Sequence, residues 1–238
     1  MNELEKYPHP FVTVDIVLFS IIDGKLSVCL SKRDEEPFKD VYSLPGTFIH
    51  ENESAEGALL RLLTTKLGLS GKIPVEQFNA FTDINRDPRG RVISIPFYAI
   101  VSNYKDITPN WAKWFNIEET SFGYNFKNKD ETFLEDALGF DHKEIIEKAV
   151  QFMQKDLENT FSTKIFEFLI NKNSFTAANL REVFKSAFLN SDKDVLLNRG
   201  NFKKYILDRY ESLGIIAKNG KEKASGKGRP SDLYKLIK

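Results

Sequence analysis

Nine residues near the start of the chain, Phe11-Val12-Thr13-Val14-Asp15-Ile16-Val17-Leu18-Phe19, are β-branched, aromatic or Leu at every position but Asp15. Side chains of that shape pack on a pleated surface and crowd a helix, so the run predicts a strand. Asp23-Gly24 is a hairpin signal, and Lys25-Leu26-Ser27-Val28-Cys29-Leu30 returns as the partner strand. The first part of the chain is therefore built round a sheet. At Ser54 the spacing becomes helical: Ala55, Ala58, Leu59, Leu62, Leu63 and Leu67 recur on one face, Ser54 stands where a cap is needed, and Gly68 ends the pattern. Strands are expected over 75–81, 92–101 and 114–117, and a helix over 130–156 after a loop. Strands outnumber helices, which predicts an α/β or α+β domain.

Beyond residue 160 the pattern changes. Helices are expected over 164–171, over 177–189 with Thr176 as N-cap, and over 202–213 with Gly214 as terminator. Strands at 215–217 and 232–236 flank a basic, glycine-bearing loop. Three helices and a hairpin of this length fit a winged helix-turn-helix. The division into 1–159 and 160–238 is also one of charge. The second segment carries sixteen Lys or Arg against eight Asp or Glu, the first eighteen against twenty-six, so the formal net charge of zero hides a balance of +8 and −8. An acidic body joined to a basic module predicts a polyanionic partner.

Other features narrow the class. Cys29 is the single cysteine, which excludes an intrachain disulfide and a Cys-built metal cluster, and His9, His50 and His142 leave little for a His-built one. The apolar runs fall short of the ~18 residues a spanning helix needs, so no membrane is expected. The acidic, polar start, MNELEKYPHP, predicts a cytoplasmic protein.

Candidate binding residues fall in both halves. The turn Asn85-Arg86-Asp87-Pro88-Arg89-Gly90-Arg91 brings Arg86, Arg89 and Arg91 within six residues. Guanidinium forks suit phosphates or carboxylates, although one arginine could instead be tied to Asp83 or Asp87. Arg33, at the end of the second strand, is a further candidate. Phe11 and Phe81 are candidates for stacking on a ring or for the core. In the basic module Phe202, Ile206, Tyr210 and Leu213 follow one apolar stripe, which leaves Lys203, Lys204 and Arg209 outside it. Arg199 and Asn201 open the same helix, placed for phosphate or base edges. Lys223, Lys227 and Arg229 belong to the loop between the two strands and could reach phosphate or the minor groove.

The stretch from Pro45-Gly46 through Glu53 and Arg61 to Gly68-Leu69 resembles the Nudix box, whose register is kept by Glu53, Arg61, Leu63, Gly68 and Leu69. The family's glycine falls on Thr47, after Gly46. The departures fall on the carboxylates that hold Mg²⁺ in that family: their positions carry Leu62, Thr65 and Lys66. The arginine turn resembles a segment shared by ADP-ribose-handling Nudix proteins and Nudix-related transcriptional regulators. Leu134–Ile146, with His142, is similar to the regulators, as is the wing sequence Gly228-Arg229-Pro230. The resemblance covers nearly the whole chain. It implies a Nudix-like αβα sandwich with a mixed sheet, an α+β domain, followed by a winged helix-turn-helix.

That family implies a ligand-responsive regulator, a repressor, which binds double-stranded operator DNA as a homodimer, with no catalytic residue, no metal and no required cofactor. Its effector would be ADP-ribose or another phosphorylated, NAD-derived metabolite, held by Arg33, Glu53, Arg86, Arg89 and Arg91, or else a pentose. The alternative is a Mg²⁺-dependent Nudix pyrophosphohydrolase using Glu51, Glu53 and Glu56. A third reading is an adaptor whose winged helix docks a protein.

Overall fold

A computed structural model of the chain describes residues 3–69, 73–107, 109–121, 123–158, 162–189, 197–222 and 230–237. The strand-forming run near the N-terminus becomes β1 (Phe11–Ile22), which turns at Asp23-Gly24 into β2 (Lys25–Lys32), as the hairpin signal requires. Two short strands, β3 (Tyr42–Ser43) and β4 (Gly46–Phe48), lead to α1 (Ala55–Arg61). Ser54 caps this helix, its hydroxyl accepting from the Gly57 N–H. The helix continues through a π turn over Leu62–Lys66 and stops where Gly68 takes φ +70°, a conformation that costs glycine nothing. Then follow β5 (Val75–Gln77), β6 (Val92–Ile100), β7 (Ala112–Thr120), β8 (Gly123–Lys127), β9 (Thr132–Leu134) and α2 (His142–Glu158).

The strands form one mixed sheet in the order β5-β6-β1-β2-β7-β8-β9, with β3 on β2 and β4 on β1. β1 and β6 run parallel from Phe11↔Val92 to Phe19↔Ile100, and the other pairs are antiparallel. Alternation along β1 sorts its side chains between two helical layers. Val14, Ile16 and Leu18 pack with Ala58, Leu59, Leu62 and Leu63 on one face. Val17 and Phe19 pack on the other with Ile145, Ile146, Ala149 and Val150 of α2. This is the expected αβα sandwich.

The second module opens with a 3-10 turn over Lys164–Phe168, then β10 (Phe175–Thr176) and α3 (Ala177–Ala187). Thr176 closes a capping box with Asn179. A helical stretch follows as α4 (Arg199–Phe202), a π turn (Lys203–Leu207) and α5 (Asp208–Ser212). Strands β11 (Ile216–Lys221) and β12 (Asp232–Leu236) complete a three-stranded sheet ordered β10-β12-β11.

Several expectations need correction. The helix expected over 130–156 begins only at His142, because residues 132–134 add the edge strand β9 to β8 and residues 135–137 form a 3-10 turn. The strand over 75–81 stops at Gln77, and Phe81 makes only an isolated bridge to Ser94. The strand at 114–117 extends to nine residues by pairing with both β2 and β8. The first helix of the basic module is a 3-10 turn of five residues, its apolar cluster Ile165, Phe166 and Phe168 being buried on all sides. The boundary at 159/160 lies outside the described residues.

Candidate ligand cleft and nucleic-acid interface

A cleft of about 660 Å³ opens beside β1, β2, β4 and the tail of α1. Its floor is Asp15, the charged interruption in the apolar run of β1, which is 6% exposed. Its carboxylate accepts from Ser94 Oγ at 2.5 Å and from Thr13 Oγ1 at 3.4 Å. Burial raises the Asp15 pKa above the usual carboxylate value, opposed by these hydrogen bonds and by Arg86. His142, at the first turn of α2, lies beside it, with Nε2 4.0 Å from Asp15 Oδ1. Its Nδ1 accepts from the Leu44 N–H at 2.9 Å, and burial pushes its pKa down to about 3, so the ring is neutral at physiological pH. The ring is thus a contact between the start of α2 and the Leu44 backbone.

The rim is rich in cations and aromatic rings, with Asp34, Glu35 and Asp87 as its acidic members. Lys32, Arg33, Lys66, Arg86 and Arg89 line it with Phe48, Trp111 and Phe140. Phe140 holds φ +59°, uncommon for a bulky residue, and its ring lies 4.9 Å from Arg33 Cζ and 5.6 Å from Arg89 Cζ. The three arginines of the turn separate. Arg86 is buried and makes a bidentate fork to Asp141 at 2.7 and 2.8 Å, tying the turn to the start of α2. Arg89 pairs with Asp87 at 2.7 Å, the tie allowed for one arginine, while its guanidinium stays at the rim over Phe48. Arg91 is not in the cleft lining: it donates to the Thr82 and Asp83 carbonyls. Phe11 and Phe81 also lie outside the lining. Lys66, Asp15, Lys32, Trp111 and Phe140 complete the cleft without having been singled out as ligand residues. Of these, Asp15 carried a signal as a charge in an apolar strand, and Lys66 as a cation at a carboxylate position of the box.

The box residues do not fit a divalent cation. Leu62 is fully buried among the α1–sheet core. Thr65 Oγ1 donates to the Arg61 carbonyl at 2.5 Å. Glu53 turns to protein donors, accepting from Arg61 at 2.6 and 3.1 Å and from the His50 N–H at 2.9 Å, which hold its pKa at about 2. It too is absent from the cleft lining. Arg61 also reaches Thr47 Oγ1 and the Phe48 carbonyl, so the Glu53–Arg61 pair fastens the loop after β4 to α1. Among the described residues no group of three or more His, Cys, Asp or Glu could hold a metal ion, Glu51, Glu53 and Glu56 included.

In the second module a groove of about 210 Å³ runs between α3, the helical stretch from Arg199 and β12. Arg199 and Lys203 line it together with Arg181 of α3, which the sequence reading missed. Arg181 Nε is buried without a hydrogen-bond partner among the described residues, while its NH2 donates to Glu182. Asn198 caps the stretch, its side chain accepting from the Asn201 N–H. Lys204 and Arg209 are exposed on the outer side, and Lys204 lies over the Tyr205 ring. Lys223, Lys227 and Arg229 lie outside the described residues.

A mixed-sheet αβα sandwich carrying a degenerate Nudix box, joined to a winged helix, defines the class: a Nudix-fold domain fused to a winged-helix domain of the DNA-binding kind. No protein-family model matches the chain. It is 34% identical over 146 residues, 61% of its own length and 76% of the relative's, to an ADP-ribose pyrophosphatase of Methanocaldococcus jannaschii. It is 25% identical over 240 residues, 97% of its length and 83% of the relative's, to the ADPR responsive transcriptional repressor NtrR of Acinetobacter baylyi. A MutT/nudix family protein from Enterococcus faecalis superimposes with a TM-score of 0.74 at 28% identity, covering 97% of this chain and 88% of that one. The chain belongs to the Nudix family, in the form that carries a C-terminal winged helix. No helix among the described residues is long and apolar enough to cross a membrane.

Proposed function

We propose that the chain is a transcriptional repressor that releases operator DNA when ADP-ribose, or a closely related phosphorylated metabolite, fills the Nudix-domain cleft. The observation that carries this is the pairing, in one chain, of a cationic and aromatic cleft with a groove lined by Arg181, Arg199 and Lys203. Guanidinium and ammonium groups suit a pyrophosphate, and Phe48, Phe140 and Trp111 offer faces for a base or sugar. The name of the Acinetobacter relative, aligned over nearly the whole chain, supports the same effector. Arg33, Arg86 and Arg89 are the effector residues of this reading, with Glu53 and Arg91 as supports of the loops around them. Arg199, Asn201, Lys203, Lys204 and Arg209, and the wing residues Lys223, Lys227 and Arg229, meet DNA. The protein works in the cytoplasm as a homodimer whose two winged helices fit half-sites about 34 to 36 Å apart.

The name of the Methanocaldococcus relative favours a second reading, hydrolysis of ADP-ribose. Fluorescence anisotropy with DNA from the neighbourhood of its own gene, titrated with ADP-ribose or with a pentose, separates the two. Selective binding released by ADP-ribose recovered intact supports the repressor. Absence of selective binding, with Mg²⁺-dependent loss of ADP-ribose, replaces it with the enzyme.

A further inference from the structure

The place of the family's metal is chemically reversed in this chain. Lys66 stands at a carboxylate position of the box and lines the cleft, its Nζ 3.4 Å from the Gly46 carbonyl beside the Asp15 floor. It has no carboxylate within ion-pair distance among the described residues, so its charge faces the cleft uncompensated by a partner. The remaining box positions offer no competing anion. Leu62 is in the core, Thr65 spends its hydroxyl on the Arg61 carbonyl, and Glu53 is engaged by Arg61 and the His50 amide.

We propose that Lys66 takes over the counter-charge function of the family's divalent cation, so that the phosphates of the effector bind this cleft without metal. An ammonium carries three donors, of which the Gly46 carbonyl engages one, leaving two for phosphate oxygens. Arg33 and Arg89, both held over the Phe140 ring, are placed to share the load as rim cations. A divalent ion brought to the same place would meet the lysine's charge and lack oxygen ligands. The side chain is exposed on a helix tail, so exchanging it leaves the core intact. This inference rests on the cleft being the effector site.

The test is calorimetric titration of the full-length protein with ADP-ribose, once in EDTA and once in excess Mg²⁺, for the wild type, Lys66→Met and Lys66→Glu. The wild type is expected to bind equally in both buffers, within about twofold. Lys66→Met is expected to bind about tenfold or more weakly in both, the loss of a charge-assisted contact. Lys66→Glu is expected to lose binding in EDTA and recover part of it with Mg²⁺. Unchanged thermal unfolding of both variants shows that the fold is kept. Wild-type binding that requires Mg²⁺, or Lys66→Met binding like the wild type, overturns the role of Lys66 while leaving the effector site standing. No binding by the wild type in either buffer overturns both.

Discussion

A methyl group at Gly46 would lie 2.2 Å from Asp15 Oδ1 and 3.2 Å from the Val14 carbonyl. β4 can pair with β1 across the cleft floor only because that side chain is missing. Gly46→Ala should therefore cost about 1 to 3 kcal/mol by overpacking, read from urea unfolding. A Gly46→Ala protein as stable as the wild type would mean that Asp15 moves freely. His142 sets a pH dependence at the same floor. Its pKa drops from 6.5 to about 3 on folding, so below pH 6.5 the unfolded chain binds a proton that the folded chain refuses. Stability is then lost as pH falls from 6.5 towards 3, by at most about 1.4 kcal/mol per pH unit. Asp15 acts with the opposite sign, since its raised pKa favours proton uptake by the folded state above 3.8. Glu53, whose pKa is lowered from 4.5 to about 2, enters only below pH 4.5. Between pH 6.5 and 4.5, His142→Asn should flatten the decline in urea midpoint, while its side-chain oxygen can still accept from Leu44. An unaltered slope would assign the decline to another group.

At the scale of elements, two π turns decide which side chains reach the core. The stretch from Arg199 reads as one amphipathic helix with Phe202, Ile206, Tyr210 and Leu213 on a single stripe. The extra residue in the π turn over 203–207 shifts the phase, so Leu207 is 1% exposed and Ile206 is only partly buried. Leu207→Ala should cost about 2 to 5 kcal/mol, and Ile206→Ala clearly less. Equal costs in thermal unfolding would show an uninterrupted α-helix. The same shift leaves Lys203 on the groove beside Arg199 and Arg181. If Arg181 meets a phosphate, Arg181→Ala should reduce the slope of log affinity against log salt by about 0.9 on any DNA sequence. An unchanged slope would remove Arg181 from the interface.

The whole molecule is tied together by α2. At one end Asp141 and His142 hold the cleft, and at the other Gln154 donates to the Ala187 carbonyl of α3. Asp156 binds Lys164 at 2.5 Å and Tyr98 Oη at 2.6 Å, and Lys164 also reaches Glu76. Ser186 of α3 donates to the Gly24 carbonyl of the β1–β2 turn at 2.7 Å, and one apolar cluster runs from the sheet through α2 into the winged helix. A helix of 17 residues spans roughly 25 Å at 1.5 Å per residue, enough to join the cleft of the Nudix domain to the winged helix. Ser186→Ala should leave the separate affinities for DNA and ADP-ribose near wild type and weaken the effect of one on the other. Coupling of the usual size is about 5- to 150-fold, so its reduction is readable by anisotropy. Full coupling in the variant would exclude this contact from the path.

The local code of the sequence was enough for the elements whose residues all point one way. β1 and its hairpin, the Ser54 and Thr176 caps and the Gly68 stop follow from side-chain shape and turn chemistry, neither of which needs a distant partner. Strand β8, the edge strand β9, the late start of α2 and the separation of Arg86, Arg89 and Arg91 were decided by tertiary structure. The Arg86–Asp141 pair joins residues 55 apart in sequence, whereas β8 and β9 close short hairpins and Arg89 turns back on Asp87, and each needs the packed sheet beside it to hold its place. The cleft belongs to that second group: Asp15, Lys66, Arg33 and Phe140 come from four separate segments, and only the packed sheet brings their charges to one place.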